Sequence, residues 1–93
     1  MNTSRKGTKL EYRVRDALEA TGYDCTRAAA SKGTWDIIAI HPTHIRLVQV
    51  KANTKPPKAE METIREYRCP DCCSKEVWVY KDRVKEPIIE VIK

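Results

Sequence analysis

The feature that most constrains this sequence is a pair of segments rich in β-branched residues, separated by Pro42 and Thr43. The first segment spans residues 34–40 and the second spans residues 45–51. β-branched side chains favour strands and proline suits the second position of a turn, so the two segments predict an antiparallel hairpin. The rest of the chain is expected to build a sheet around that hairpin.

The register of the hairpin predicts which polar side chains lie together. With the turn centred between its two middle residues, His41 faces His44, and Asp36 comes opposite Gln49. Residues two apart on a strand share a face, so Lys51 joins Asp36 and Gln49. The apolar residues predicted on that face are Ile38, Ile40, Ile45 and Leu47. A carboxylate, an amide oxygen and an ammonium at the end of an apolar face are consistent with a metal-dependent phosphodiesterase.

Two other interpretations of these residues stay open at the level of sequence. If the loop contained an odd number of residues, the pairing would slip by one residue, and Gln49 and Lys51 would lie on the opposite face from Asp36. Alternatively, Asp36 and Lys51 form an ordinary cross-strand ion pair near the end of the sheet, which contributes less than about 1 kcal/mol.

Length and composition predict one small, basic domain over residues 1–93. The chain has 41% hydrophobic residues and no Phe, so we expect a thin core and burial against a second copy. Lysine and arginine number 18 against 13 acidic residues, which gives a net charge of +5 and a pI near 9.1. This excess fits a polyanionic partner, although many soluble domains share it. Lys51, Lys55 and Lys58 follow one another without an intervening acid.

The sequence also predicts where the protein resides. The N-terminus is polar and basic with no apolar segment behind it, so no signal peptide is predicted. No apolar run approaches the ~20 residues that span a bilayer, so no membrane contact is expected. A soluble, intracellular and cytoplasmic protein is the expectation. Its four cysteines would then be thiols or metal ligands rather than a disulfide framework.

The predicted order of elements is α-β-β-β-α-β-β, which indicates an α/β or α+β domain with helices packed on a mixed sheet. Residues 1–7 are predicted to be a mobile basic arm, and the first helix to run from about Thr8 to Thr21, with Gly22 as its stop. The other predicted elements are a strand over residues 23–27, the hairpin, a helix over residues 58–67, and strands over residues 76–81 and 87–92.

The first helix carries a candidate acid. Leu10, Val14 and Leu18 recur at helical spacing, and Glu11 lies at the edge of their apolar stripe. Glu11 is therefore expected to point towards the same core as Asp36. The alternative is a surface glutamate in the first turn that interacts favourably with the helix dipole.

The loop over residues 28–33 consists mainly of small residues. Such a loop would let a nucleic-acid backbone approach, and Ser31, Lys32 and backbone N–H groups could then bind a phosphate. The loop could equally be a plain surface connection, and on its own residues that interpretation is slightly favoured.

Cysteines cluster at Cys69, Cys72 and Cys73, with a Cys-x-x-Cys spacing. A structural zinc ion needs four ligands, and no second pair of matching spacing exists, so Cys25 or a histidine would have to complete the site. Redox use lacks a thioredoxin-like setting. Free thiols in a turn are the favoured interpretation, and the two histidines are expected to be turn residues.

Taken in order, the motifs resemble those of a known family. Glu11, the segment Gly33 to Ile38 with Asp36 in it, and the triplet Gln49 to Lys51 resemble the PD-(D/E)xK nuclease superfamily. Within it, the chain looks most like the archaeal-type Holliday junction resolvases and their viral relatives. The resemblance covers most of the chain and includes the basic start of the sequence and the Arg27 region.

The resemblance implies a restriction-endonuclease-like fold and a homodimeric, Mg²⁺-dependent DNA endonuclease that cleaves Holliday junctions or other branched DNA. A viral relative would act in the cytoplasm of its host cell. The metal ligands implied are Glu11, Asp36, the residue at position 49 and the Val50 carbonyl, and Lys51 would activate the attacking water. The residues implied or suggested by charge to contact DNA are Arg5, Lys6, Arg27, Ser31, Lys32 and Lys55.

Position 49 departs from the family pattern, because it is Gln where the pattern has Glu or Asp. An amide oxygen can still bind a metal ion, but the site loses one negative charge. Weaker metal binding, a slow enzyme or a preference for Mn²⁺ is expected. A catalytically inactive DNA-binding module on the same fold is the alternative.

Overall fold

The computed structural model describes residues 3–27 and 34–92, and its side chains from residue 9 onward within those ranges. The predicted order α-β-β-β-α-β-β is confirmed. The elements are α1 (Thr3–Glu19), β1 (Asp24–Arg27), β2 (Ile37–His41), β3 (His44–Ala52), α2 (Lys58–Glu66), β4 (Cys73–Tyr80) and β5 (Ile88–Ile92). Within the described residues, neither helix is long and apolar enough to cross a membrane.

The five strands form one mixed sheet in the order β1-β2-β3-β4-β5. β3 and β4 are parallel, and the other three neighbouring pairs are antiparallel. Parallel neighbours need a crossover connection, which α2 provides between β3 and β4. The predicted mixed sheet flanked by helices is therefore confirmed.

Each face of the sheet carries one helix and one apolar cluster. We call the face that packs against α1 the α1 face; its β-strand residues include Ile37 and Val48. The other face, which we call the α2 face, carries Leu47 and Val77 and packs against Ile64 of α2. Because strand residues alternate between faces, Gln49 and Lys51 lie on the α2 face with Leu47.

The start of α1 differs from the prediction. The helix begins at Thr3, so residues 3–7 are helical and are not the predicted mobile arm. Arg5 and Lys6 are good helix formers, and a single Gly7 weakens a helix by only about 1 kcal/mol relative to alanine. At the other end, Gly22 adopts φ 96° just after the helix, as expected for the residue that terminates it.

The cysteine cluster lies where α2 connects to β4. β4 begins at Cys73, three residues earlier than predicted, because Cys73 pairs with Ile45 of β3. Cys69 and Cys72 precede the strand, and all four cysteines of the chain are free. Cys69 lies beside Cys73, and burial together with that neighbour raises the pKa of the Cys73 thiol to about 12. A thiol with so high a pKa is protonated at neutral pH and is therefore a poor nucleophile.

A buried charge that the sequence did not reveal fixes the pairing of β3 with β4 on the α1 face. Glu76 is 2% exposed, and Arg46 donates two hydrogen bonds of 2.7 Å to its carboxylate. Ser74 Oγ and Trp78 Nε1 donate to the same carboxylate over 2.7 and 2.9 Å. Burial raises the pKa of Glu76, but the hydrogen bonds and the Arg46 charge outweigh it, so the pKa is lowered overall.

Candidate active site

The β2–β3 hairpin has the register that the sequence predicted. His41 pairs with His44 and Ile37 pairs with Val48, which places Asp36 opposite Gln49 by continuation. The Asp36 N–H donates to the Val48 carbonyl over 2.9 Å and extends the ladder by one step. A slip of one residue is therefore excluded, and the two histidines lie at the turn, as predicted.

The Asp36 carboxylate lies where charged groups from several elements converge. Its Oδ2 accepts a hydrogen bond of 2.8 Å from the Val50 N–H. Burial raises the pKa of the Asp36 carboxyl, the Val50 hydrogen bond and the Lys51 charge lower it, and the charges of Glu11 and Glu60 raise it. The net pKa is raised, as expected for a carboxylate that is partly removed from water and near other acids.

Gln49 is nearly buried and only half satisfied. Gln49 is 7% exposed, and its side-chain Nε2 donates a hydrogen bond to the Thr34 carbonyl over 3.2 Å. Its Oε1 is buried and has no hydrogen-bond partner among the described residues; the only other such atom among them is Trp35 Nε1. Leaving a buried acceptor unpaired costs about 1–3 kcal/mol, and a bound cation would remove that cost.

Lys51 is paired with α2. Its Nζ lies 3.3 Å from Oε2 of Glu60, and the two side chains are 32% and 43% exposed. The ordinary ion pair of Lys51 with Asp36, which the sequence left open, is replaced by this contact with Glu60. The sequence gave no reason to single out Glu60; the only signal was an acid in the first turn of the helix after Lys51.

Glu11 approaches the site from the other side of the sheet. α1 packs on the α1 face, and the charge of Glu11 acts on the Asp36 carboxyl, so Glu11 reaches the end of the sheet that carries Asp36. Arg27 Nε donates to Glu11 Oε1 over 2.8 Å, and the Arg27 guanidinium also stacks on the Tyr12 ring at 4.9 Å. Because Arg27 pairs with Ile37 in the sheet, this ion pair lies at the same end as Asp36.

The donor atoms at this end of the sheet fit a divalent cation of the Mg²⁺ type. Mg²⁺ binds through one or two carboxylates with water and substrate phosphate. Asp36, Glu11 and the Gln49 Oε1, which has no hydrogen-bond partner in the described part of the chain, offer oxygen atoms. In the described part of the chain, no three His, Cys, Asp or Glu side chains lie close enough to share an ion. The carboxylates of Glu11 and Glu60 are held by Arg27 and Lys51 instead.

The residues predicted to contact DNA are only partly described. Arg27 lies beside the candidate site, whereas Lys55 forms a 3.0 Å ion pair with Glu90 of β5. Arg5 and Lys6 belong to α1, but their side chains lie outside the described part of the structure. Ser31 and Lys32 fall within residues 28–33, which also lie outside the described residues.

A solved structure has an arrangement of helices and strands similar to that of this chain. Archaeoglobus fulgidus Hjc, a Holliday junction resolvase from an archaeal hyperthermophile, has a similar fold, with a TM-score of 0.66 at 19% identity. The match covers 94% of this chain and 71% of that chain. At this identity the likeness defines the fold, which is that of the Hjc nucleases. A search of curated protein sequences found no match.

The family itself is identified from the sequence. The profile of the archaeal Holliday junction resolvase (Hjc) family matches residues 2–66, which is most of the chain. The chain therefore belongs to the archaeal Holliday junction resolvase family. This match confirms the predicted family and, at the level of the family, the predicted function of a structure-selective DNA endonuclease. The structural likeness confirms the predicted nuclease fold.

Proposed function

We propose that this chain is a divalent-metal-dependent endonuclease that hydrolyses phosphodiester bonds in four-way or otherwise branched DNA. The observation that carries the proposal is the arrangement of Asp36, Gln49 and Lys51 at one end of the β2–β3 hairpin. The buried Gln49 oxygen there has no hydrogen-bond partner among the described residues. The family and the net charge of +5 support DNA as the substrate.

Each side chain has a proposed role in the hydrolysis. Asp36, the Gln49 Oε1, the Val50 carbonyl and Glu11 are the proposed ligands of Mg²⁺, with Mn²⁺ as a substitute. When bound, the ion would act as a Lewis acid on the phosphate and lower the pKa of a water molecule. Lys51 orients the attacking water and stabilises the negative charge that develops on the phosphate oxygens. The water oxygen bonds to phosphorus and loses a proton to solvent, while the bond to the 3′-oxygen breaks. The 3′-oxygen takes up a proton from solvent to become a hydroxyl, and the 5′-phosphate remains on the product.

The proposed DNA surface and assembly rest on charge and exposure. Arg27 is the proposed backbone contact nearest the site, with Arg5, Lys6, Ser31, Lys32 and Lys55 as the further proposed contacts. A homodimer is supported by edge strand β5, where Ile88, Ile89 and Val91 are exposed. We infer an intracellular, cytoplasmic location from the DNA substrate.

A cleavage assay tests the proposed function. With Mg²⁺ or Mn²⁺ present, the chain is expected to cut a labelled four-way junction and to leave a linear duplex of the same arm sequence uncut. Gel analysis of the products reports the cut position and the 5′-phosphate. Binding that weakens with salt but gives no product with either metal would contradict the nuclease and favour the DNA-binding module.

Two observations favour that binding module as the second candidate. Position 49 lacks a carboxylate, and the carboxylates of Glu11 and Glu60 are occupied by basic partners. A protein that only binds DNA needs no assembled metal site. It would keep the basic surface and the salt dependence of DNA binding, and divalent ions would not make it cleave DNA.

The Gln49→Glu variant separates the two candidates. A further negative charge within about 4 Å of a cation contributes on the order of 1 kcal/mol even in a water-like medium. We therefore expect half-maximal cleavage at a Mg²⁺ concentration at least about 5-fold lower. Cleavage rates measured across a Mg²⁺ titration test this expectation. Gln49→Asn, which keeps the amide and shortens the side chain, is the matched control, and an unchanged titration for Gln49→Glu contradicts the assignment of position 49.

A further inference from the structure

We propose that Glu60 of α2 supplies the carboxylate that position 49 lacks and is a ligand of the divalent cation in this chain. The inference rests on the proposed function, because it concerns the ion that the proposed nuclease uses. Even without DNA, a divalent ion should bind at the end of the sheet that carries Asp36 and Gln49, next to the start of α2.

The position of Glu60 follows from the fold. Lys51 and Gln49 are two residues apart on β3 and share the α2 face, and α2 packs on that face through Ile64. Glu60 lies one helical turn before Ile64, and its carboxylate reaches Lys51 at 3.3 Å. The Glu60 carboxylate on α2 therefore lies at the same end of the α2 face as Gln49, where the family pattern has an acidic residue.

A second observation points independently to a ligand at this place. Gln49 is more than nine-tenths buried, and its Oε1 has no partner among the described residues. An amide oxygen so placed is a neutral ligand that needs an anionic neighbour to hold a divalent ion. The charge of Glu60 acts on the Asp36 carboxyl, so Glu60 lies near the proposed anionic ligand as well.

The ion pair with Lys51 does not oppose this role. Both side chains of the Lys51–Glu60 pair are partly exposed, and ion pairs of that kind contribute little stability. Glu60 can therefore exchange Lys51 for a cation at small cost. The exchange would also release the Lys51 ammonium to face a phosphate.

Glu60 has a simpler role that the experiment must separate. An acid in the first turn interacts favourably with the helix dipole and neutralises Lys51 whether or not a metal ion binds. Either role would weaken cation binding somewhat when the charge is removed. Only the ligand role predicts that a loss of at least ~10-fold persists when Lys51 is absent.

The test is Mn²⁺ binding by the DNA-free chain, measured as the loss of the free-ion signal in electron paramagnetic resonance. Glu60→Gln is expected to weaken Mn²⁺ binding at least ~10-fold, the scale of losing a group that supports a metal site. Glu62→Gln, an exposed charge change on the same helix, is the matched control and should change binding less than ~2-fold. Circular dichroism checks that both variants are folded.

Two further variants complete the test. In the Lys51→Met background, Glu60→Gln should still weaken Mn²⁺ binding at least ~10-fold, and Gln49→Glu should restore binding to the Glu60→Gln chain. Equal binding by the Glu60 and Glu62 variants, or loss of the Glu60 effect without Lys51, overturns the inference and leaves the proposed nuclease standing. Wild-type chain that binds no Mn²⁺ also overturns it, and junction cleavage by the wild type then decides the proposed function separately.

Discussion

The Asp36→Asn variant is expected to cleave a four-way junction at least about 100-fold more slowly than the wild-type chain. Asparagine keeps the shape of the side chain, and its oxygen can still accept the hydrogen bond from the Val50 N–H. What it removes is the negative charge that the proposed metal ion needs. Single-turnover cleavage rates at saturating protein measure the effect on the chemical step.

The same variant should fold and bind junction DNA normally. Burial already raises the pKa of Asp36, so removing its charge is not expected to lower the unfolding temperature. Asp24→Asn is the matched control, because Asp24 is exposed on β1 and pairs with Ile40 near the hairpin turn. A wild-type cleavage rate for Asp36→Asn, with Asp24→Asn also at that rate, would remove Asp36 from the catalytic site.

Replacing Glu76 is expected to have the largest effect on stability. Glu76→Gln should lower the free energy of unfolding by about 3 kcal/mol, because it leaves Arg46 without its buried counter-ion. We choose the lower end of the usual range because the Arg46 side chain is 23% exposed. Urea unfolding followed by tryptophan fluorescence measures the change, since Trp78 donates to the same carboxylate.

The pH dependence of stability follows from the same residue. The pKa of Glu76 in the folded chain is lowered below the value of about 4.3 for an unfolded chain. Its stabilising contribution is therefore fully present above about pH 4.3 and is lost as the pH falls through the folded-state pKa. Urea midpoints measured between neutral and acid pH should fall in that window for the wild type and fall less for Glu76→Gln.

A surface pair provides the control for both measurements. Glu90→Gln removes one partner of the exposed Lys55–Glu90 pair and should change stability by less than about 1 kcal/mol. If Glu76→Gln were as mild as Glu90→Gln, the hydrogen bonds of Glu76 would contribute little to the β3–β4 pairing.

The sequence predicted the hairpin and the family because both depend on the order and spacing of residues along the chain. Turn chemistry set the centre of the hairpin, and the alternation of strand residues then placed Asp36, Gln49 and Lys51 on one face. The position of Glu11 on the first helix followed from apolar spacing. The motif order identified the nuclease family before any contact was known.

Three features could not be read in this way. The partner of Lys51 is an acid on the next helix, the partner of Glu11 is Arg27, and Glu76 is buried against Arg46. Each pair joins residues on different elements, and its formation depends on how those elements pack. The sequence also places the start of α1 too late. Gly7 favours a helix that begins after it, whereas the helix begins at Thr3 and continues through Gly7.

The sequence by itself determined the elements, the hairpin register and the set of groups available for phosphodiester chemistry, because these follow from periods of two and 3.6 residues along one chain. Only the tertiary structure decided which face each helix covers and which charges meet. Those contacts arise from packing between segments far apart in sequence, and they place Glu11 and Glu60 on opposite sides of the sheet around the end that carries Asp36.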